Sequence, residues 1–335
     1  MTFLASTTPR VARTTKVVTV MAAAALALSA CGGSSDDDKD EVTSLSVGST
    51  PSLAGLGLQT AIQEGSFDSR GLKVEAVENK SANAAVPALL NGERQVAVMD
   101  TLTFMLAKSQ GLPVRIIAGT GQQATNGDTD ELSSASIVAA SGSDIEGAKD
   151  LVGKKVAVPA IKTQTWMNIR ALVDAAGGDS DKIEFVEVPP AQMLDLLAKG
   201  TVDAATPNEP VASSAIASGK FQLVHNTDAP GNVGVPSSVY AATETFVKEN
   251  PETIDKFVEA IHESAEQVNG DRELAADVAG KQLGFKPEVL ENAFFVPFFT
   301  EPVKAEQLDK VSALAVKYEI LASAPKSQDL LASTK

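Results

Sequence analysis

Between residues 44 and 241 the chain alternates short apolar runs with stretches of helical spacing, and that alternation leaves few folds open. The runs that read as strands are 44–47, 72–77, 95–99, 114–118, 135–140, 155–158, 183–188, 202–205, 221–224 and 237–241. Residues 53–63, 101–110, 166–176 and 191–199 between them carry apolar side chains at helical intervals. Strands that alternate with helices pair in parallel, with the helices packed across them, so the pattern predicts an α/β fold built on mostly parallel sheet. From Asn250 the pattern becomes all-helical. Asn250-Pro251 reads as an N-cap followed by proline at the first helical position, and Ile254, Phe257, Val258, Ile261, Ala265 and Val268 keep one apolar face. Leu308, Val311, Leu314, Tyr318 and Leu321 repeat that spacing further on.

The start of the chain is of another kind. Arg10, Arg13 and Lys16 precede Val17 to Leu28, apolar or small apart from Thr19, and Leu28-Ser29-Ala30-Cys31 follows. A basic start, an apolar run of about a dozen residues and small residues before a cleavage point make a secretory signal. The run is shorter than the roughly 20 residues that span a membrane. Leu-Ser-Ala-Cys resembles the bacterial lipobox, in which the cysteine becomes the new N-terminus and carries acyl chains. Residues 1–30 are thus read as signal peptide and 31–43 as a lipid-anchored, disordered acidic tether, with Cys31 the lipidation site. The expected location is outside the cytoplasm, held to the cell membrane through lipid alone. Cys31 is the only cysteine, which excludes an intrachain disulfide and a multi-cysteine metal site.

The first 30 residues hold three basic and no acidic side chains, which leaves 25 basic against 43 acidic and a net charge of −18. Such a body lacks the clustered Lys/Arg that nucleic acid or an anionic membrane surface requires. The remaining 305 residues suffice for two lobes.

A faint internal repeat supports two lobes. Leu72-Lys73-Val74-Glu75-Ala76-Val77 leads to a helix ending at Gly92 and then to strand 95–99, while Ile183-Glu184-Phe185-Val186-Glu187-Val188 leads to a helix ending at Gly200 and then to strand 202–205. Each glycine suits the left-handed position that closes a helix. Four stretches then carry a family resemblance: Gly71-Leu72-Lys73-Val74-Glu75, Ala88-Leu89-Leu90-Asn91-Gly92-Glu93-Arg94-Gln95-Val96-Ala97-Val98, Lys108-Ser109-Gln110-Gly111-Leu112-Pro113-Val114 and Asp150-Leu151-Val152-Gly153-Lys154-Lys155-Val156-Ala157-Val158. Glu209-Pro210 after Val202-Asp203-Ala204-Ala205 adds to them. The chain resembles the substrate-binding proteins of ABC importers in the sulfonate, taurine, nitrate and thiamine-precursor group. It departs from them at Gln95, where aspartate is usual, and in its few aromatic residues.

The resemblance implies a two-lobed type II periplasmic-binding-protein fold, with lobe 1 over 44–130, lobe 2 over 131–240 and a helical return to lobe 1 over 241–335. It implies hinge segments near 125–136 and 235–243. Its functional corollary is capture of a small anionic or zwitterionic solute, a sulfonate or taurine, by a monomer that delivers it to an ABC permease and its ATPase. A thiamine-precursor aminopyrimidine is the alternative ligand. No cofactor or metal is implied.

Ligands of open α/β sheets bind beyond the carboxyl ends of the strands. That rule nominates Thr50 and Ser52, Ser81 and Asn83, and Asp100, Thr101 and Thr103 in lobe 1. In lobe 2 it nominates Lys162, Thr163, Thr165 and Trp166, then Asn208 and Glu209. Hydroxyls beside helix N-termini suit a sulfonate, nitrate or carboxylate, and serve equally as plain N-caps. Lys162 either adds a cation or is solvated. Asp100 and Glu209 either cap helices or face the ligand, and in the second case favour one bearing an amine or ring N–H. Trp166, the only tryptophan, either stacks on a ligand or packs in the core.

Signals for catalysis are weak. His225 and His262 are the only histidines, and neither is placed with a nucleophile. Gly142 to Lys149 departs from the phosphate-loop spacing, and Gly55-Leu56-Gly57 lacks the third glycine of a dinucleotide fingerprint. The expectation is a binding protein rather than an enzyme.

Overall fold

A computed structural model of the chain describes residues 42–79, 84–125 and 131–333, all within one unit, Asp40–Lys335. The signal, Cys31, most of the tether, Ser81 and Asn83 lie outside the described residues.

Among the described residues, ten strands appear where the apolar runs predict them. They are β1 (Thr43–Ser49), β2 (Leu72–Glu78), β3 (Val96–Asp100), β4 (Val114–Gly119), β5 (Ser136–Ala140), β6 (Lys155–Val158), β7 (Glu184–Glu187), β8 (Ala204–Ala205), β9 (Phe221–Asn226) and β10 (Ser238–Thr243). They form two five-stranded sheets, ordered β2-β1-β3-β10-β4 and β7-β6-β8-β5-β9. The orders correspond strand for strand, so the repeat seen in sequence is a repeat in space. In each sheet four strands run one way and one, β10 or β5, runs antiparallel to both neighbours. That reversed strand is the exchanged one. The chain leaves the first sheet after β4 to enter the second as β5, and leaves the second after β9 to return as β10.

Helices cover these sheets: α1 (Leu56–Gln63), α2 (Ala85–Leu90), α3 (Thr101–Ser109), α4 (Gln164–Ala175), α5 (Pro190–Ala198) and α6 (Val211–Ala217). Gly92 and Gly200, at φ +74° and +67°, donate their N–H groups to Leu89 and Leu197 and so end α2 and α5 alike. The C-terminal part adds α7 (Glu244–Glu249), α8 (Pro251–Gly270), α9 (Arg272–Leu283), α10 (Pro287–Leu290) and α11 (Ala305–Lys317). All six residues of the predicted α8 face are buried. The expected cap at Asn250 differs in detail. Its side chain donates to the Phe246 carbonyl, 3.1 Å away, because α7 ends directly in front of it. The all-helical expectation also breaks at 292–304, where Phe298 forms an isolated bridge with Gly121.

One apolar core runs through both halves: Ile116 and Val239 from the first sheet, Ile137, Val156 and Val158 from the second, and Leu308 and Val311 from α11. The described parts of the two crossings, 120–125 with 131–135 and 227–237, lie side by side. Gln123 N–H donates to Val235 O (2.8 Å) and Gly234 N–H to Gln123 O (2.9 Å). Residues 238–243 of the expected second hinge are strand β10, so the crossing itself lies upstream of them. Among the described residues no helix is long and apolar enough to cross a membrane.

Candidate functional site

The carboxyl ends of β3 and β8, and the loop after β6, bring the two halves together. Asp100 closes β3 and caps α3. Its Oδ1 accepts the Thr103 N–H at 3.0 Å, and its Oδ2 accepts the Thr103 hydroxyl. The same Oδ1 accepts the N–H of Gln164, the first residue of α4, at 3.2 Å. The Pro236 carbonyl, on the second crossing, accepts the Thr101 hydroxyl at 2.7 Å and Gln164 Nε2 at 3.2 Å. The N-termini of α3 and α4, one from each half, thus converge on one carboxylate and one hinge carbonyl. Burial raises the Asp100 pKa above the ordinary aspartate value, against the lowering effect of the bonds from Thr103 and Gln164.

Glu209 lies in the loop beyond β8, next to Asn208, which matches Asp100 in sheet register. It is buried, its bond to Pro210 is cis, and its Oε1 accepts the Ser213 hydroxyl at 2.8 Å. Its Oε2 accepts the N–H of Phe294, 3.2 Å away in the C-terminal part of the chain. Burial pushes its pKa up to about 7.

The other nominated residues scatter. Thr101 and Thr103 are buried at the start of α3. Thr163 is buried at the N-cap of α4, but its hydroxyl donates to Ala160 O at 2.9 Å instead of capping the helix. Ser52 likewise makes no side-chain cap. Thr165 and Ser52 are half-buried, while Thr50, Lys162 and Asn208 are exposed. Lys162 holds a left-handed backbone, φ +62°. Trp166 is packed: its ring lies 5.6 Å from Phe185 and 5.0 Å from the Arg170 guanidinium, which also sits 4.7 Å from the Tyr318 ring. Tyr318 in turn donates to Asp174 of α4 at 2.8 Å.

Several polar side chains at this junction carry no chemical motif in the sequence. Gln164 and Asn168, one turn apart on α4, are buried together with Gln123. Asn168 Nδ2 donates to Thr227 O (3.0 Å) and lies 3.4 Å from Gln123 Oε1. Their remaining amide atoms, Gln164 Oε1, Asn168 Oδ1 and Gln123 Nε2, are buried without a partner. The one available signal was amides at helical spacing among apolar neighbours. Asn79, at the end of β2, lies across β1, with its Oδ1 2.5 Å from where a Cβ on Gly48 would stand. Below, Asp228 is buried between the crossings and accepts the N–H groups of Ala124 (2.8 Å) and Thr125 (3.0 Å). Burial raises its pKa to about 6. A cavity of about 730 Å³ between α9 and α10, and one of about 200 Å³ beside Gln122 and Lys304, are not lined by the nominated residues.

Two lobes on one plan, joined by two crossings with loops meeting at the strand ends, define the type II periplasmic-binding-protein fold. Residues 54–275 match the NMT1/THI5-like family, and the chain belongs to it. The periplasmic aliphatic sulphonate-binding protein SsuA of Escherichia coli has the same fold, with TM-score 0.69 and 18% identity over 87% of this chain and 97% of that one. The nitrate-binding protein NrtA of Synechocystis PCC 6803 also superposes, at TM-score 0.69 and 15% identity, covering 88% and 86% of the two chains. In sequence, the taurine-binding periplasmic protein of Escherichia coli (strain K12) is 24% identical over 191 residues, 57% of this chain and 56% of that protein. A putative binding protein of Brucella abortus (strain 2308) is 28% identical over 136 residues, 40% of this chain and 42% of that one. The chain thus spans about half the length of the curated relatives it matches.

Proposed function

We propose that the chain is an extracytoplasmic solute-binding lipoprotein, anchored through Cys31, that captures a small anionic or zwitterionic solute and hands it to an ABC permease. The solute class is a sulfonate of the taurine kind. The observation that carries this reading is the meeting of the α3 and α4 N-termini, one from each lobe, at the strand ends where α/β sheets bind ligands. Family membership and the names of the similar proteins support it. On this reading one lobe comprises 44–119 together with 238 onward, the other 136–226, and closure is a hinge motion about the crossings. The role is binding, and no bond chemistry is assigned to it. The carboxyl groups at the junction, half-buried Asp100 and buried Glu209, can accept from a ligand amine or ring N–H, which keeps an aminopyrimidine as a second reading.

Thermal unfolding in the presence of taurine, alkanesulfonates, nitrate and aminopyrimidines tests the assignment. A ligand that binds only the folded state adds about 2.7 kcal/mol at a hundredfold excess over its Kd. A rise in midpoint with taurine or a sulfonate is expected. A rise with the pyrimidine alone would transfer the assignment to the second reading, and no rise with any of them would overturn the ligand class.

A further inference from the structure

Two of the chain's own carboxylates near the strand ends, Asp100 at the end of β3 and Glu209 in the loop beyond β8, join distant stretches of the chain. Asp100, at the end of β3, bonds the Gln164 N–H of the opposite lobe. Glu209, beyond β8, bonds the Phe294 N–H, and Phe294 packs against the apolar cluster that includes Leu56 of α1, Ala265 of α8 and Val278 of α9. Beside Asp100, both helix N-termini also bind the hinge carbonyl of Pro236. Every atom in these bridges belongs to the protein.

We propose that Asp100 is an interlobe latch: its carboxylate draws the N-terminus of α4 onto that of α3, so that the closed arrangement is favoured before solute arrives and solute affinity depends on this internal bond. Three physical facts support it. An N–H to carboxylate bond is about twice as strong as a neutral one. The two helix N-termini bear like partial positive charge, and an anion between them turns mutual repulsion into attraction. A bond made only in the closed form shifts the open–closed balance, and apparent affinity scales with the closed fraction. The dependence of affinity rests on the lobe junction being the solute site, whereas the effect on closure does not.

Two substitutions remove the bond from opposite ends. Asp100→Ser keeps a good N-cap for α3 and withdraws the longer reach to Gln164. Gln164→Pro deletes the donated N–H at the first helical position, which proline tolerates. The preceding Thr163, at φ −94° and ψ 168°, already has the extended backbone that proline demands. Gln164→Ala is the control, because it loses the Pro236 contact and keeps the N–H. Small-angle scattering of the solute-free protein is expected to show a larger radius of gyration for Asp100→Ser and Gln164→Pro than for wild type or Gln164→Ala. Taurine affinity is expected to fall about tenfold in the same two variants. The double variant should be no more open than either single one, since both cut one bond. Unchanged scattering in both variants, an equal effect of Gln164→Ala and Gln164→Pro, or fully additive effects would each overturn the latch. If taurine fails to bind wild type, the scattering result alone decides the latch. If taurine binds and no variant opens, the solute site stands and the latch falls.

Discussion

Replacing Glu209 with glutamine should change how the protein's stability responds to pH. The carboxylate is 3% exposed, and its two bonds come from one hydroxyl and one N–H, with no cation opposite. Burial therefore dominates and lifts its pKa from 4.5 to about 7. The folded form holds its proton at a pH where the unfolded form has released it, so stability is full below pH 4.5 and falls as pH rises through 7. The step from 4.5 to about 7 corresponds to about 3 kcal/mol. At about 2 °C per kcal/mol for a chain of this size, solute-free wild type should melt about 5 °C lower at pH 8 than at pH 5 on this account. Asp228 adds a loss of the same sign, centred lower because its pKa is about 6. Asp100 is raised too, so Asp100→Asn is the companion control. The assay is urea unfolding from pH 5 to pH 8. Glu209→Gln should remove most of the fall between pH 6 and pH 8 and melt above wild type at pH 8. An unaltered slope in Glu209→Gln would refute the argument that this carboxyl is held protonated by burial.

Two further outcomes follow from packing and from the start of the chain. Trp166→Ala should lower stability by about 3–5 kcal/mol in denaturant unfolding, the cost of deleting a core aromatic, because the indole is buried and packs with Phe185 and Arg170. A stability loss under 1 kcal/mol with abolished taurine binding would instead make the indole a ligand platform. Cys31→Ser should move the protein from the membrane fraction to the soluble fraction of cells and abolish incorporation of labelled fatty acid, and retention of both would refute the lipobox.

The elements were legible because the local physics is strong. Short apolar runs marked the ten described strands, and only their ends moved. β8 shrinks to Ala204–Ala205, where the Asp203 side chain takes the Lys155 N–H ahead of the strand. The partner of a strand was not legible in this way. Residues 238–243 read as a strand, but nothing local shows that it returns to the first sheet between β3 and β4, since sheet membership is decided by contacts across more than a hundred residues. The site divides along the same line. The strand-end rule nominated the loops, and Asp100 and Glu209 were singled out in them by their charge. Their opposite partners, the N–H groups of Gln164 and Phe294, are backbone atoms and leave no trace in residue type. Trp166 shows the converse: its rarity drew attention, yet an aromatic at helical spacing satisfies a core just as well, and here the ring is buried beside Arg170 and Phe185. A carboxylate's role in this fold is therefore fixed less by its own position than by which lobe supplies its donors. Asp100 takes two donors from Thr103 and one from Gln164, and Glu209 takes one from Ser213 and one from Phe294, so each ties a helix start to a distant stretch of chain.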